Sequence, residues 1–455
     1  MNRNPLTVVQ VSTYESAGGA ERVARNLFEA YRQLGHRSYL VAGRGPSTDG
    51  DIVALEDGQS RIAHALSGPG RLLDRWRGLE SYRYSASRGL PDIVGRTPDI
   101  VHLHNLHGGY FDLRTLPGLS QRFPTVITLH DAWLLSGHCA HSFDCERWRS
   151  GCGHCPDLTI YPAIRRDATA ANWRRKRDVF ERSALHIATP SVWLMDRVRD
   201  SMLAPAIRTA RVIPNGVDLS VFSPDDAREA RSRSGLPPDR HVVVVSGNAP
   251  RTNPFRDWPM VRRAVSRAAA MLDEDIVLVV LGDNGESGHA DGVELRPVPF
   301  ESDPSRLADY YRAADVHIHA ARADTFPNTV IEALACGTPV VATAVGGIVE
   351  QVRTLVAAHG SPGSIEAHDA GAATGVLVPA GDAAAMGDAL ARVLKDRELR
   401  RRLATNAVED ARRRFDFARQ RDAYIEWYVA LLEARSPRLQ SGAGSASGGP
   451  PARES

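Results

Sequence analysis

Nine short runs of Val, Ile and Leu, alternating with helix-length stretches, constrain this 455-residue chain more than any other feature. In the first half they read TVVQVS, SYLVAG, DIVHLHN, TVITLHD and HIATPS. In the second half they read HVVVVSGN, DIVLVVLGD, VHIHAA and PVVATAV. Near-continuous apolar strands separated by helices are the pattern of βαβ units and parallel sheets. The same grammar in both halves predicts two α/β domains. A chain of this length needs more than one core in any case. Ligands bind outside the carboxyl ends of strands in such sheets, so two of them imply a cleft between the domains.

Composition narrows the functional class. The net charge of +2 lacks the strong basic excess of a nucleic-acid binder, so no nucleic-acid partner is expected. Nearly all positive charge is arginine, with Lys176 and Lys395 the only lysines. No run approaches the 18 or so apolar residues that span a bilayer. The N-terminus leads straight into a strand without a signal-peptide pattern. The expected location is cytoplasmic, with reduced thiols.

Several landmarks divide the chain. AERVARNLFEAYRQLGH places Val23, Leu27, Phe28, Tyr31 and Leu34 on one helix face and ends at Gly35. RTARVIPNGVDLSVFSP reads as a domain junction. RFDFARQRDAYIEWYVALLEA reads as a last amphipathic helix, and the Gly/Ser/Pro-rich tail as disordered. The expected boundaries are 1–208 for an acceptor-side domain and 209–412 for a donor domain. A helix over 413–436 packs back on the first domain, and a tail covers 437–455.

The stretch ADTFPNTVIEALACGTPVVATAVGGIVE, from Ala323 to Glu350, carries the most chemistry. Its helix begins near Pro327, runs through Ala335 and stops at Gly337, before a strand. The helix start offers N–H groups of Asn328, Thr329 and Val330 to phosphates. Glu332 follows about one turn, ~5.4 Å, along. A ribose joined to a diphosphate at the helix start would fall near that carboxylate. Asp324 sits just before the helix, so the two acids can bracket a nucleotide-sugar. Spacing alone leaves open a plain alternative, a solvated helix glutamate and a loop-capping aspartate.

This stretch resembles the donor-site signature of retaining glycosyltransferases of family 4 (glycosyl transferases group 1), bacterial exopolysaccharide and colanic-acid-type transferases among them. In that family an acidic residue, seven residues and a glutamate precede GTPVV and a GG..E run. Asp324 stands where glutamate is usual; Glu332, Gly346–Gly347 and Glu350 match. SAGGAERVARNL resembles the family's first glycine-rich loop, with Gly18 and Gly19 able to approach phosphate. DIVHLHN, VITLHD, VIPNGVD, LVVLGDNGES and LADYYRAADV resemble further family elements.

The resemblance implies the GT-B fold, two Rossmann-like parallel-sheet domains facing a central cleft. It implies transfer of a sugar, with retention, from a nucleotide-sugar donor to a saccharide or lipid-linked acceptor in bacterial surface polysaccharide biosynthesis. His130 matches the family's active-site histidine, Asp324 would contact the transferred sugar and Glu332 the ribose. Phe326, Asn328, Thr329 and Val330 would line the donor site. Arg256 stands where a diphosphate-neutralising lysine is expected, and Arg251 is the nearest counterpart of an arginine. Arginine suits the task, being permanently charged and bidentate. The resemblance implies no cofactor for catalysis. Asp273, Glu274 and Asp275, the one acidic run, read as a loop away from the cleft. A nucleotide-sugar epimerase of the same fold and a non-catalytic binding protein are the alternatives.

Four of the five cysteines, Cys139, Cys145, Cys152 and Cys155, fall within the 27 residues after the start of HDAWLLSGHCAHSFDCERWRSGCGHCP. Four thiolates suffice for a closed, structural tetrahedral Zn2+ site, and CGHC has the form of a zinc knuckle. His138, His141 and His154 are substitute ligands; unligated thiols or a redox-sensitive pair are the other readings. The insertion, 138–156, is expected over the acceptor side. Arg61–Gly89 mixes Arg with Leu, Trp76, Tyr82 and Tyr84, and WRRKRD adds a basic cluster. Such composition permits peripheral contact with the inner membrane leaflet; a solvated helical face is the other reading.

Overall fold

The computed structural model describes residues 5–15, 18–45, 49–55, 61–355 and 366–442. Two seven-stranded sheets organise it. The first contains β1 (Thr7–Ser12), β2 (Arg37–Ala42), β3 (Ile52–Ala54), β4 (Ile100–Leu103), β5 (Thr125–Thr128), β6 (Leu185–Thr189) and β7 (Ile207–Val212). The second contains β8 (His241–Ser246), β9 (Ile276–Leu281), β10 (Gly288–Ala290), β11 (Val293–Val298), β12 (Val316–His319), β13 (Val340–Thr343) and β14 (Gly375–Val378). The orders are β3-β2-β1-β4-β5-β6-β7 and β10-β11-β9-β8-β12-β13-β14. Every pairing is parallel except β10 with β11. This is the GT-B architecture of two facing parallel-sheet layers. All residues of β1, β4, β5, β9, β12, β13 and β14 are buried, which is why most of these segments read as unbroken apolar runs.

The strands outside the nine runs are short or lie near an edge. β7 reads IRTARV and its four central residues are exposed. It pairs with β6 alone, so it needs no second apolar face. The sequence reading placed this segment in a domain junction with a boundary after residue 208. Its register makes it the last strand of the first sheet.

Strand order reverses around β1 in one sheet and around β8 in the other, and such reversals open a crevice for ligands. β1 leads to Gly18 and Gly19, β4 to His104 and His107, and β5 to His130 and Asp131. β8 leads to Arg251 and Arg256, and β12 to Asp324. The acidic run Asp273–Asp275 precedes β9, at the opposite end of the sheet.

The chain passes between the sheets twice, side by side. Outward, the Val217 N–H donates to the Phe415 carbonyl at 2.7 Å; on the return, the Phe417 N–H donates to the Val217 carbonyl at 3.1 Å. A Cβ on Gly216 would lie 2.4 Å from Phe417 Cα, so glycine alone lets the two crossings touch. The helix Phe417–Gly442 then lies on the first sheet, with Tyr424, Trp427, Tyr428 and Leu431 packed on Val8, Leu27, Tyr31, Ile100 and Val126. The tail expected from 437 is helical as far as Gly442; 443–455 lies outside the described residues. Tyr428 OH is 2.7 Å from His102 Nδ1, and His102 Nε2 is 2.7 Å from Thr128 Oγ1, so the buried polar groups of this interface satisfy one another. Trp427→Ala should lower the unfolding free energy by about 3–5 kcal/mol. Tyr428→Phe, which leaves His102 Nδ1 without its partner, should lower it by about 1–3 kcal/mol. Urea unfolding of both variants measures this.

Candidate donor and acceptor cleft

Two helix starts meet across the cleft. One opens the helix Gly19–Gln33 after the Gly18–Gly19 turn; the other opens Asn328–Ala335 behind Pro327. Asn328 Nδ2 donates to the Gly19 carbonyl at 3.3 Å, so the two N-termini are in contact. Asn215 Nδ2 in turn donates to Asn328 Oδ1 at 2.9 Å, which fixes that side chain from the interdomain crossing. Helix N-termini attract anions through unsatisfied N–H groups and the helix dipole. The expected set of three N–H groups is reduced by one, because the Val330 N–H turns to the Pro327 carbonyl at 3.3 Å. Thr329 Oγ1 is buried and has no hydrogen-bond partner among the described residues. Phe326 packs into the core of the second domain against Phe415, ring centroids 5.8 Å apart.

The two acids differ in their partners. Asp324 Oδ2 accepts from Arg256 Nη1 at 2.7 Å and lies 3.7 Å from His319 Nε2. Burial works to raise its pKa, but Arg256 and His319 prevail and hold it well below the usual carboxylate range. Its backbone is clamped by the GG pair. A Cβ on Gly346, where φ is +55°, would lie 1.8 Å from the Asp324 carbonyl, and one on Gly347 1.9 Å from the Thr325 carbonyl. Glu332 is 3% exposed. Its Oε1 accepts from Arg22 across the cleft at 2.5 Å and its Oε2 from Tyr311 OH at 3.2 Å. Arg251 lies apart from both acids, paired with Asp283 at 2.6 Å and donating to the Glu286 carbonyl. Glu350 accepts the N–H groups of Val192 and Trp193, each at 2.8 Å, and so caps a helix of the opposite domain.

His130 faces these groups from the end of β5. Thr325 Oγ1 donates to its carbonyl at 2.6 Å, tying it to the loop that carries Asp324. Its Nε2 is 3.0 Å from His104 Nδ1, and His104 Nε2 is 3.1 Å from Gln10 Oε1. With the Gln10 oxygen accepting, His104 carries its proton on Nε2 and His130 donates from Nε2, which leaves His130 Nδ1 an acceptor. Burial pushes the His130 pKa down to about 4 and that of His102 down to about 3, so both are neutral near pH 7. A second histidine, His107, pairs with Asp131 at 2.8 Å; that carboxylate, together with Glu21, outweighs burial and raises its pKa. Arg22, Tyr311, His319, Asn215 and the His107–Asp131 pair were missed in the sequence. Only the alternation of VHIH and the Arg inside GGAER hinted at them.

The cysteine insertion brings its four cysteines to one place. Cys139, Cys145, Cys152, Cys155 and His138 line one small hollow. Yet among the described residues no three His, Cys, Asp or Glu side chains are grouped so that they could hold a metal ion. Two of the thiols make hydrogen bonds. Cys152 Sγ accepts from the Gly137 N–H at 3.3 Å, while Cys155 lies 3.3 Å from His138 Nε2 and donates to the Asp157 carbonyl. Beside them Lys176, fully buried, donates to the carbonyls of Trp133 and Ser136 and lies 3.5 Å over the Trp133 ring. Burial draws its pKa down to about 8. The insertion also crosses the cleft: His141 and Phe143 pack on Phe255, in the loop that carries Arg256, with centroids 4.9 and 6.0 Å apart.

Residues 17–221 match the model described as Glycosyltransferase Family 4, and residues 226–410 the model described as Glycosyl transferases group 1. The chain belongs to the family 4, group 1 glycosyltransferases. One relative is named as a colanic acid biosynthesis glycosyl transferase, WcaC, of Escherichia coli. It is 26% identical over 351 residues, covering 74% of this glycosyltransferase and 83% of that protein. D-inositol 3-phosphate glycosyltransferase 1 of Catenulispora acidiphila is 31% identical over 349 residues, 70% of this chain and 71% of that one. Sucrose-phosphate synthase from Thermosynechococcus elongatus shares the fold with a TM-score of 0.63 at 20% identity, over 94% of this chain and 100% of that one. Anabaena HepE in complex with UDP-glucose does so with a TM-score of 0.58 at 15% identity, over 93% and 100%.

The depressed histidines predict one contribution to the acid stability of the glycosyltransferase. A histidine whose folded pKa is lowered adds stability above its unfolded value, near 6.5, and loses it as pH falls through the folded value. The urea midpoint should therefore fall from pH 6.5 towards pH 4, and His130→Gln should flatten that slope.

Proposed function

We propose that this glycosyltransferase moves a sugar from a nucleotide-sugar to a saccharide or lipid-linked acceptor, with retention of anomeric configuration, in the building of a bacterial surface polysaccharide. The observation that carries this reading is the meeting of two helix N-termini over a buried glutamate one turn into the donor helix. The diphosphate takes the N–H groups of Asn328 and Thr329, the ribose takes Glu332, and the transferred sugar takes ionised Asp324. Arg256 faces the leaving group, where charge grows in the transition state. The acceptor oxygen bonds to the anomeric carbon on the face the diphosphate leaves. The carbon–phosphate-oxygen bond breaks with its electron pair on the nucleoside diphosphate, and the acceptor proton passes to a departing phosphate oxygen. Neighbours of the same fold are described in complex with UDP, UDP-glucose and ADP, which supports a nucleotide-sugar donor. The name of the Escherichia coli relative supports the pathway.

Thermal shift against UDP, GDP, ADP and their common sugar conjugates tests the donor. A ligand at a hundred times its Kd should add about 2.7 kcal/mol to stability. Glu332→Gln should weaken the matching donor by about tenfold to a hundredfold, the worth of a charge-assisted hydrogen bond. No shift with any nucleotide would defeat the reading. Product analysis separates transfer from epimerisation.

A lipid-linked acceptor would place the enzyme on the cytoplasmic face of the membrane. The helix Arg61–Trp76 supports this, with Leu72, Leu73 and Trp76 exposed at 69%, 43% and 50%. Arg166 lies 3.6 Å over the Trp76 ring, which gives the patch a cationic rim. Among the described residues no helix is long and apolar enough to cross a membrane. In a flotation assay the protein should rise with anionic vesicles, and Leu72→Glu/Trp76→Glu should stay behind. Equal behaviour of the two proteins would remove the membrane contact.

A further inference from the structure

We propose that Arg22 is a ligand of the donor's diphosphate, and that its ion pair with Glu332 is exchanged for that contact when the donor binds. The inference rests on the donor assignment above and adds to it a residue and a switch.

Arg22 lies in the first turn of the helix Gly19–Gln33, and its N–H donates to the Gly18 carbonyl at 3.1 Å. A cation there faces the positive end of the helix dipole, an unfavourable place unless an anion offsets it. In this structure the anion is Glu332, reached across the cleft. The two partners are not equivalent. Glu332 is held in place, its side chain 5% exposed and its other oxygen bound by Tyr311 OH. The Arg22 side chain is 38% exposed, so it is the partner free to swing.

Ribose and Arg22 compete for the same atom. Glu332 Oε2 is engaged by Tyr311, and Oε1 by Arg22. A ribose hydroxyl at Oε1 shares that oxygen with the guanidinium and weakens the ion pair, and the diphosphate beside it offers Arg22 a second anion. The released side chain remains beside Gly18, Gly19 and the start of the Asn328 helix, where the diphosphate would lie. A planar guanidinium binds phosphate oxygens bidentately. The other two arginines are paired as well, Arg256 with Asp324 and Arg251 with Asp283. Arg22 alone is paired with the residue assigned to the nucleoside. Binding of the ribose and release of the phosphate ligand are thereby coupled, and a nucleoside without phosphates would weaken the pair with nothing to receive the arginine.

The test compares each nucleoside diphosphate (UDP, GDP, ADP) with its parent nucleoside by calorimetric titration of the full chain, in wild type, Arg22→Gln and Arg22→Lys. The glutamine variant should bind the matching diphosphate about tenfold or more weakly, the loss of a charge-assisted contact. It should bind the nucleoside equally well or more tightly, because Glu332 is then unopposed. Arg22→Lys should recover part of the diphosphate affinity. If Arg22→Gln tightens both ligands alike, Arg22 is a plug and not a phosphate ligand, and the proposal fails. If both affinities are unchanged, it fails too, while the donor assignment stands. If no diphosphate binds wild type, the donor assignment falls and the inference falls with it.

Discussion

The two sheets share one cleft because the chain passes between them twice in the same place. Gly216 lets the outgoing segment lie against Phe417 of the returning one, and backbone hydrogen bonds between Val217, Phe415 and Phe417 join them. Each sheet therefore presents the carboxyl end of its central strands to the other. Everything in the cleft follows from that placement: Asn215 reaches Asn328, Thr325 reaches His130, and Glu350 caps a helix of the facing domain. The invariable chemistry of backbone N–H groups at two helix starts is supplied by topology, before any side chain is specified.

Side chains then divide the cleft electrically. Its cations are arginines, charged at any pH the protein meets. The histidines around them, His102, His104, His130, His317 and His319, are buried and drawn towards neutrality. His107 is the exception, kept basic by Asp131. The cleft thus sets fixed arginine charges among buried histidines that offer neutral hydrogen-bonding groups.

How much of this was legible in the sequence depended on period and on motif. Strands buried on both faces announced themselves as apolar runs, whereas β7, with arginines along an open edge, did not. The helix Asn328–Ala335, Asp324 and Glu332 were readable because proline, glycine and the acid spacing fix them locally. Arg22 was not, since its partner lies 310 residues away and nothing local marks a pair that forms only on folding. The cysteines were legible as a cluster, not as a ligand set. Their spacing suggests a metal site, but spacing says nothing about where each sulfur points. In the fold the four cysteines and His138 line one hollow, and the buried Lys176 pins the neighbouring loop.

The helix that closes the first sheet comes from the far end of the chain. Val8, Leu27, Tyr31 and Ile100 are covered by Tyr424, Trp427 and Tyr428. On the ribosome, all seven strands of that sheet emerge while its cover is still some 200 residues from being made. At about 5–20 residues per second the exposed face waits on the order of ten to forty seconds. The first domain to be synthesised is therefore the last to be completed. Until the final helix docks, Val8, Leu27, Tyr31 and Ile100 lack the side chains that bury them.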